Sequence, residues 1–562
     1  MTQVQPPRPL SETLTPRQKW LLLGSLMMAM FISALDMTVV STATPRILAD
    51  LGGFHLLSWL FTSYMLSSTV LVPLVGKLSD IYGRKIFIIA GISVFLVASV
   101  FCGLAQSMLQ LIILRALQGV GSGIIMAAVF PALGDIFAPA ERGKYMGLFT
   151  GMFSLAAILG PALGGVLTDH GSWRLVFFLN IPICAVAIPA IWANLPSRPS
   201  TRRPRIDYVG AVLLAVGSVA ALLALEWAGS KQYAWGSVQI IGLFSGASAC
   251  VALFILQERR HPEPIIPLHL FRNNVFLVSN LLVLLMGMGM FGALQYLGIF
   301  VQTALRASAT ASGVIGTPQS LGMLVASVIA GQMMSRTGHY KVQAIVGSIF
   351  VLVAMLFLRT LNTSVAQWQI SAYMVILGLG FGAMMPPLSL AVQNAVSHEY
   401  IGVASSTNQF FRQVGSVFGI AVFAVILTNS YESSFQDELS ADAKAQLGPE
   451  RLAIFNDPTV ALNERQFALV TASIREEPGG PELVAAATAA QRESVAAAVR
   501  DIFTVATVVA ALGILLLLLL KEVPLRRDNA PAPAPEGAHA GPEGRAAGPS
   551  EVSPSPGAVG GQ

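Results

Sequence analysis

Gly119-Val120-Gly121-Ser122-Gly123 lies inside an apolar run and has a counterpart, Gly378-Leu379-Gly380-Phe381-Gly382, 259 residues further on. Gly143 and Gly160 match Gly402 and Gly419 at the same offset. A looser match joins Gly76-Lys77-Leu78-Ser79-Asp80-Ile81-Tyr82-Gly83 to Gly331-Gln332-Met333-Met334-Ser335-Arg336-Thr337-Gly338, which share a seven-residue glycine spacing. Glycines that recur this way across several apolar runs point to a chain built from two similar halves. Two such halves in a bilayer can rock against each other and expose a central site to each side in turn, as secondary transport requires.

Composition places the repeat in a membrane. Of 562 residues, 54% are hydrophobic and 11% charged, and the mean hydropathy is +0.67, against roughly 25% charged residues in soluble domains. About 20 apolar residues cross the hydrocarbon core as a helix. Fourteen runs qualify: 19–42, 56–76, 85–105, 108–130, 143–168, 174–195, 208–228, 237–257, 274–301, 310–334, 342–360, 367–390, 401–430 and 500–521. The repeat maps spans 1 to 6 onto spans 9 to 14 and leaves spans 7 and 8 as an insertion. The expected fold is an all-α polytopic membrane protein with an N-terminal tail (1–18), a six-helix half (19–195), two inserted helices (196–257) and a second six-helix half (258–521). Within the second half, the acidic, Ala-rich segment 431–499 reads as a partly helical outer loop, and 522–562, rich in Pro, Ala and Gly, reads as a disordered tail.

An even number of spans puts both termini on one side. The tails and short loops of that side carry twenty-one Lys and Arg, against five in the opposite short loops, so both termini are expected in the cytoplasm, with the protein in the inner or plasma membrane. The positive-inside bias accounts for the pI of about 9.1, and no basic-aromatic interleaving indicates a nucleic-acid partner. The first apolar run is longer than a signal-peptide core and reads as a retained span. Cys102, Cys184 and Cys250 fall in apolar spans without ligand spacing and read as small core residues. No His/Cys/Glu cluster has metal-ligand spacing and no phosphate-binding loop is present, so neither an enzyme nor nucleotide-driven transport is expected, and no cofactor beyond a coupling proton.

Asp36, in Ala34-Leu35-Asp36-Met37-Thr38-Val39-Val40, is a carboxylate within the first span. Placing one at the bilayer centre costs on the order of 3 kcal/mol on insertion scales, which makes it a candidate for ion or substrate movement. Its repeat partner in span 9, Met288-Gly289-Met290-Phe291-Gly292-Ala293-Leu294-Gln295, has no carboxylate. A carboxyl group in apolar surroundings holds a proton more readily than one in water. The expectation is therefore that Asp36 loads a proton on one side and releases it on the other; the alternative is a structural aspartate bonded to Thr38 or to a neighbouring helix.

Six stretches carry a family resemblance. Gly76 to Lys85, with Asp80, Gly83, Arg84 and Lys85, resembles the loop signature of the major facilitator superfamily, departing from it at Ile81, where many members carry a base. The resemblance implies a latch between the halves, with Asp80 accepting from a helix N-terminus or an arginine. Leu114 to Gly123 resembles the fourth-helix motif and implies that Arg115 assists proton transfer, although an arginine near mid-span can instead reach for the interface. Gly160-Pro161-Ala162-Leu163-Gly164-Gly165 resembles the motif of drug-exporting members and implies a gating bend at Gly160, Pro161, Gly164 and Gly165. Leu35 to Pro45 is similar to the first-helix motif of the fourteen-helix drug:proton antiporters, and Ser172 to Pro182 and Gly402 to Gly415 also look like sequences of those exporters.

The function this implies is proton-coupled export of hydrophobic or amphiphilic compounds, that is, multidrug efflux and antibiotic resistance. A lipid or glycolipid exporter of the same fold is the alternative, and a non-transporting sensor or assembly partner a remote one. Tyr64, Gln118, Gln295, Asn408 and Gln409 are candidate substrate contacts, since apolar ligand sites hold a few polar anchors, though each also suits an interhelical hydrogen bond. Asp135 reads as solvated and Glu226 as an interfacial carboxylate beside Trp227. The expected partners are small amphiphiles and the bilayer; whether a periplasmic adaptor joins is open.

Overall fold

The computed structural model describes residues 13–53, 56–197, 206–229, 232–307, 309–458, 460 and 464–523. Most of the N-terminal tail and nearly all of the C-terminal tail expected to be disordered lie outside the described residues. No strand occurs among those described. Among the described residues, fourteen helices are long and apolar enough to cross a membrane. In chain order they are α1 (Pro16–Leu51), α2 (Trp59–Tyr82), α3 (Arg84–Gly103), α4 (Met108–Ile136), α5 (Glu141–His170), α6 (Arg174–Asn194), α7 (Tyr208–Ala228), α8 (Val238–Arg260), α9 (Asn274–Thr303), α10 (Val314–Thr337), α11 (Lys341–Leu358), α12 (Gln367–Asn394), α13 (His398–Glu438) and α14 (Gly480–Leu518).

Each matches one apolar run, and the differences are at the ends. The first helix continues through Pro45 to Leu51, because a membrane helix tolerates an internal proline when neighbouring groups satisfy the freed backbone. The larger correction concerns 431–499. This segment is mostly helix: α13 runs on to Glu438, Ala441–Phe455 and Glu464–Arg475 form two short helices, and α14 starts at Gly480, some 20 residues before its apolar run. Alanine-rich sequence is strongly helix-forming, and Tyr431, Phe435, Phe455 and Ile474 bury their side chains there. At about 1.5 Å per residue, the 39 residues of α14 span roughly 58 Å, about twice the hydrocarbon thickness.

Packing repeats the sequence pattern. In the first half α4 lies against α2 and α3, α1 against α5 and α6, and α3 against α6; eight helices later, α12 lies against α10 and α11, α9 against α13 and α14, and α11 against α14. The repeated glycines sit at these crossings. A Cβ on Gly121 would lie 2.5 Å from the Phe95 backbone nitrogen, and one on Gly380 would lie 2.7 Å from that of Val351. Small residues let membrane helices approach this closely. The halves join through α2 against α13 and α10 against α5, which are one contact and its repeat. The inserted α7 packs on α8 and also on α2 and α13, one helix from each half.

Candidate functional site

Asp36 lies midway along α1, facing the interior of the first half, with 2% of its surface exposed. Its Oδ2 forms an ion pair with Nη1 of Arg115 on α4, and that arginine is fully buried. Oδ1 accepts from Nε2 of Gln118 at 2.8 Å and from Nδ2 of Asn180 at 3.5 Å. The break in α6 at Leu179 sets Asn180 at the start of its second segment. Ser99 Oγ on α3 accepts from Asn180 at 2.8 Å and from Gln118 at 3.3 Å, and donates to the Phe177 carbonyl at 2.8 Å. Arg115 also donates from Nη1 to Gln118 Oε1 at 2.8 Å and from Nε to the Leu60 carbonyl at 3.4 Å, while its guanidinium lies 4.3 Å from the Tyr64 ring centroid. The Tyr64 hydroxyl donates to the Ser33 carbonyl at 3.1 Å. Five helices thus converge on one charge pair.

This corrects two expectations. Asp36 is not in apolar surroundings but in a polar cluster, because α3, α4 and α6 each turn a polar side chain toward it. Arg115 does not reach for an interface, because its counter-ion is within the bundle. Of the two partners expected for a structural aspartate, neighbouring helices do bond Asp36 and Thr38 does not: its hydroxyl donates to the carbonyls of Leu35 at 2.9 Å and Ala156 at 3.1 Å. The Ala156 bond ties α1 to α5 beside the Gly-Pro motif. A Cβ on Gly164 would lie 2.9 Å from the Val39 carbonyl, whereas one on Gly165 would meet nothing within 4 Å. Gly160 likewise packs on Thr38, and Pro161 is exposed within a continuous helix.

The second cluster lies where α2 meets α13. Asp80 accepts from the backbone N–H groups of Gly402 at 3.1 Å and Val403 at 3.0 Å, in the first turn of α13, where unpaired backbone donors and the helix dipole favour a negative charge. Arg84 bridges Asp80 and Asp135, at 2.6 Å to each, and donates to Ser79 Oγ at 3.1 Å. The carboxylate therefore holds both an arginine of its own half and a helix end of the other. Gly83 links α2 to α3 with φ of 90°, a conformation that suits glycine, and Gly338 repeats it between α10 and α11 with φ of 75°. A Cβ on Gly76 would lie 3.0 Å from the Gly402 carbonyl, and one on Gly331 would lie 2.6 Å from that of Gly143. Each seam between the halves thus closes on a pair of matched glycines. Lys85 lies over the Trp192 ring at 5.3 Å and takes no part in the seam.

A family model described as Major Facilitator Superfamily matches residues 26–420, which include both clusters and both seams. The chain belongs to the major facilitator superfamily. Its similarity to superfamily members named for drug transport is extensive. It is 40% identical to the multidrug transporter protein MdtP of Bacillus subtilis over 422 residues, covering 75% of this chain and 78% of that one. It is also 36% identical to multidrug resistance protein 3 of Bacillus subtilis over 450 residues, covering 80% and 87%. Among solved structures, the human organic anion transporter MFSD10 matches 90% of this chain and 100% of its own, with a TM-score of 0.58 at 14% identity, a likeness of fold. The chain is a multi-pass membrane transporter of the superfamily.

The five candidate substrate contacts do not come together. Tyr64 and Gln118 belong to the Asp36 cluster. Asn408 donates to Asn280 of α9 at 3.3 Å, an interhelical bond, and Gln409 accepts from Arg412. Gln295 is exposed and lines a cavity of about 340 Å³ between α9 and α13, with Phe291, Leu294, Gln302 and Ile420. Ser99 and Asn180 carry little signal in the sequence, since each is a lone polar residue in a span. Asp135, expected in solvent, pairs with Arg84 and lies 3.5 Å from His398. Glu226 hydrogen-bonds Thr62 of α2 and lies near Tyr296 of α9, so the inserted hairpin reaches both halves with a carboxylate.

Proposed function

We propose that this transporter is a proton-coupled antiporter exporting hydrophobic or amphiphilic compounds across the cytoplasmic membrane, with both termini in the cytoplasm. The observation that carries the reading is the buried Asp36–Arg115 pair, a charge balance that one proton would upset. A proton on Asp36 leaves Arg115 without its counter-ion, with Gln118, the Leu60 carbonyl and the Tyr64 ring as the nearest groups to share its charge. Gln118 and Asn180, which donate to the carboxylate, must then reorient, and they sit on α4 and α6. The protonation state of one group is in this way tied to the packing of the first half. Breaking such a pair costs roughly 3–5 kcal/mol, comparable with the free energy available from a proton gradient.

The alternating step is assigned to the seams. The Asp80 latch and its glycine-lined repeat hold the halves together at the end that carries the termini, and releasing it lets α2 part from α13 and α5 from α10. Gly160 and Gly164 fit α5 onto α1 next to Asp36, linking the proton site to a helix that forms one of the seams. The reading is supported by the drug-transporter names of the similar chains and by the twenty-one positive charges on the proposed cytoplasmic side.

The test is transport into everted vesicles or proteoliposomes with an imposed pH gradient, using cationic dyes, antibiotics and labelled lipids as cargo. Wild-type protein should accumulate at least one of them in a gradient-dependent manner. Asp36→Asn should lose that dependence while still inserting as a folded protein, one that melts below wild type because Arg115 is left without its counter-ion. Gradient-driven accumulation retained in Asp36→Asn would overturn the proton assignment, and accumulation of lipids alone would move the cargo to that class.

A further inference from the structure

Arg412, on α13, is another buried arginine within a span, 8% exposed. Unlike Arg115, it has no carboxylate in ion-pair range among the described residues. Its Nη2 donates to Gln409 Oε1, one turn back on the same helix, and its Nη1 faces the Met385 sulfur of α12 at 3.9 Å. The guanidinium carbon lies 5.2 Å from the ring centroid of Phe153, which belongs to α5 of the opposite half. One residue on, Gln413 Oε1 is a buried acceptor with no hydrogen-bond partner. The remaining faces of this arginine are thus a thioether, an amide and an aromatic ring, drawn from both halves.

An arginine stripped of water needs a counter-charge, and removing one from a buried pair is strongly destabilising. A ring face and an amide oxygen compensate only in part. Transported molecules in this kind of fold sit between the two repeats near the middle of the membrane, which is where a side chain of α13 touching α5 must lie. We infer that Arg412 binds the negatively charged head of the exported compound, a carboxylate-bearing amphiphile, with its apolar body against Phe153 and Met385. Gln413 Oε1 supplies an acceptor for a hydroxyl or amide of the same molecule. The cavity beside Gln295 opens two turns further along α13, at Ile420, on the path out. Because Phe153 and Arg412 come from different halves, a head group bound there touches both and reports which way they are tilted. The assignment deepens the exporter reading and rests on it.

The experiment uses the full-length protein in proteoliposomes and two probes that differ in one charge, a dansylated undecanoic acid and its methyl ester. Binding and gradient-driven export of each are measured for wild type, Arg412→Gln and Arg412→Lys. Wild type should prefer the acid by roughly tenfold or more, as expected for a charge-assisted hydrogen bond. Arg412→Gln should bring the ratio of acid to ester close to one, and Arg412→Lys should keep part of it. Because the ratio is internal to each variant, general loss of folded protein does not alter it. If wild type exports the ester but shows no preference for the acid, or if the preference survives in Arg412→Gln, the anion site is overturned while the exporter reading stands. If wild type moves neither probe nor any other cargo under a gradient, the exporter reading itself fails.

Discussion

Asp36 and Arg115 hold each other in place, and the energetic consequence is asymmetric. Arg115→Met strands a buried carboxylate and should lower unfolding free energy by roughly 3–5 kcal/mol, whereas Asp36→Asn combined with Arg115→Met should recover much of that loss, since replacing both charges of a buried pair is often nearly neutral. Unfolding followed in detergent checks this, and equal losses in the single and double variants would mean the pair is not what stabilises the site. From sequence, Asp36 and Arg115 each stood out as a charge inside an apolar run. Their pairing did not, because 79 residues separate them and nothing local encodes which face of α4 turns toward α1. Gln118 is visible in the sequence as a polar residue in a span, and its place beside the Asp36 carboxylate is set by how α4 turns toward α1. Arg412 was legible as part of a motif, but its lack of a counter-charge is a fact about the helices around it.

At the level of the helix, the glycines separate into those that set a distance and those that do not. Gly164→Ala pushes a methyl group against Thr42 and the Val39 carbonyl, and overpacking of this kind costs about 1–3 kcal/mol. Gly165→Ala meets open space and, with helix propensity in its favour, should be neutral or stabilising by up to about 1 kcal/mol. Melting temperatures of the two variants, one residue apart in the same helix, distinguish packing from a general need for glycine in this motif; equal destabilisation would contradict the packing account. The helices themselves were readable from hydropathy alone, and the repeat from glycine spacing, because close crossings leave a mark in residue size. Helix ends outside the bilayer were not readable this way. The segment 431–499 is alanine-rich and charged, so it reads as partly helical but lacks the apolar signal that marks a span, and the full extent of its helices shows in the burial of Phe435, Phe455 and Ile474.

For the whole molecule, the decisive contacts are those between halves. Asp80 bonds to backbone groups 322 and 323 residues away, and a helix N-terminus leaves no residue type to recognise as its partner. Asp80→Asn keeps the shape but weakens two charge-assisted bonds, a loss of about 1.5–3 kcal/mol for a bond to a charged group, and should favour separation of the halves at this end. Spin labels placed at Ile86 and Glu399, both exposed at this seam, should show a longer and broader distance distribution in the variant, and an unchanged distribution would remove the latch from the mechanism. The two seams are alike in their glycines but not in what flanks them. Neither inserted helix packs on α5 or α10, whereas α7 lies along both α2 and α13. In the proposed alternating cycle it would act as a gasket on one flank, covering the seam there against lipid tails. Under the proposed exporter reading, amphiphiles dissolved in the bilayer would approach sideways from the opposite flank, which gives the pseudo-symmetric bundle a front and a back.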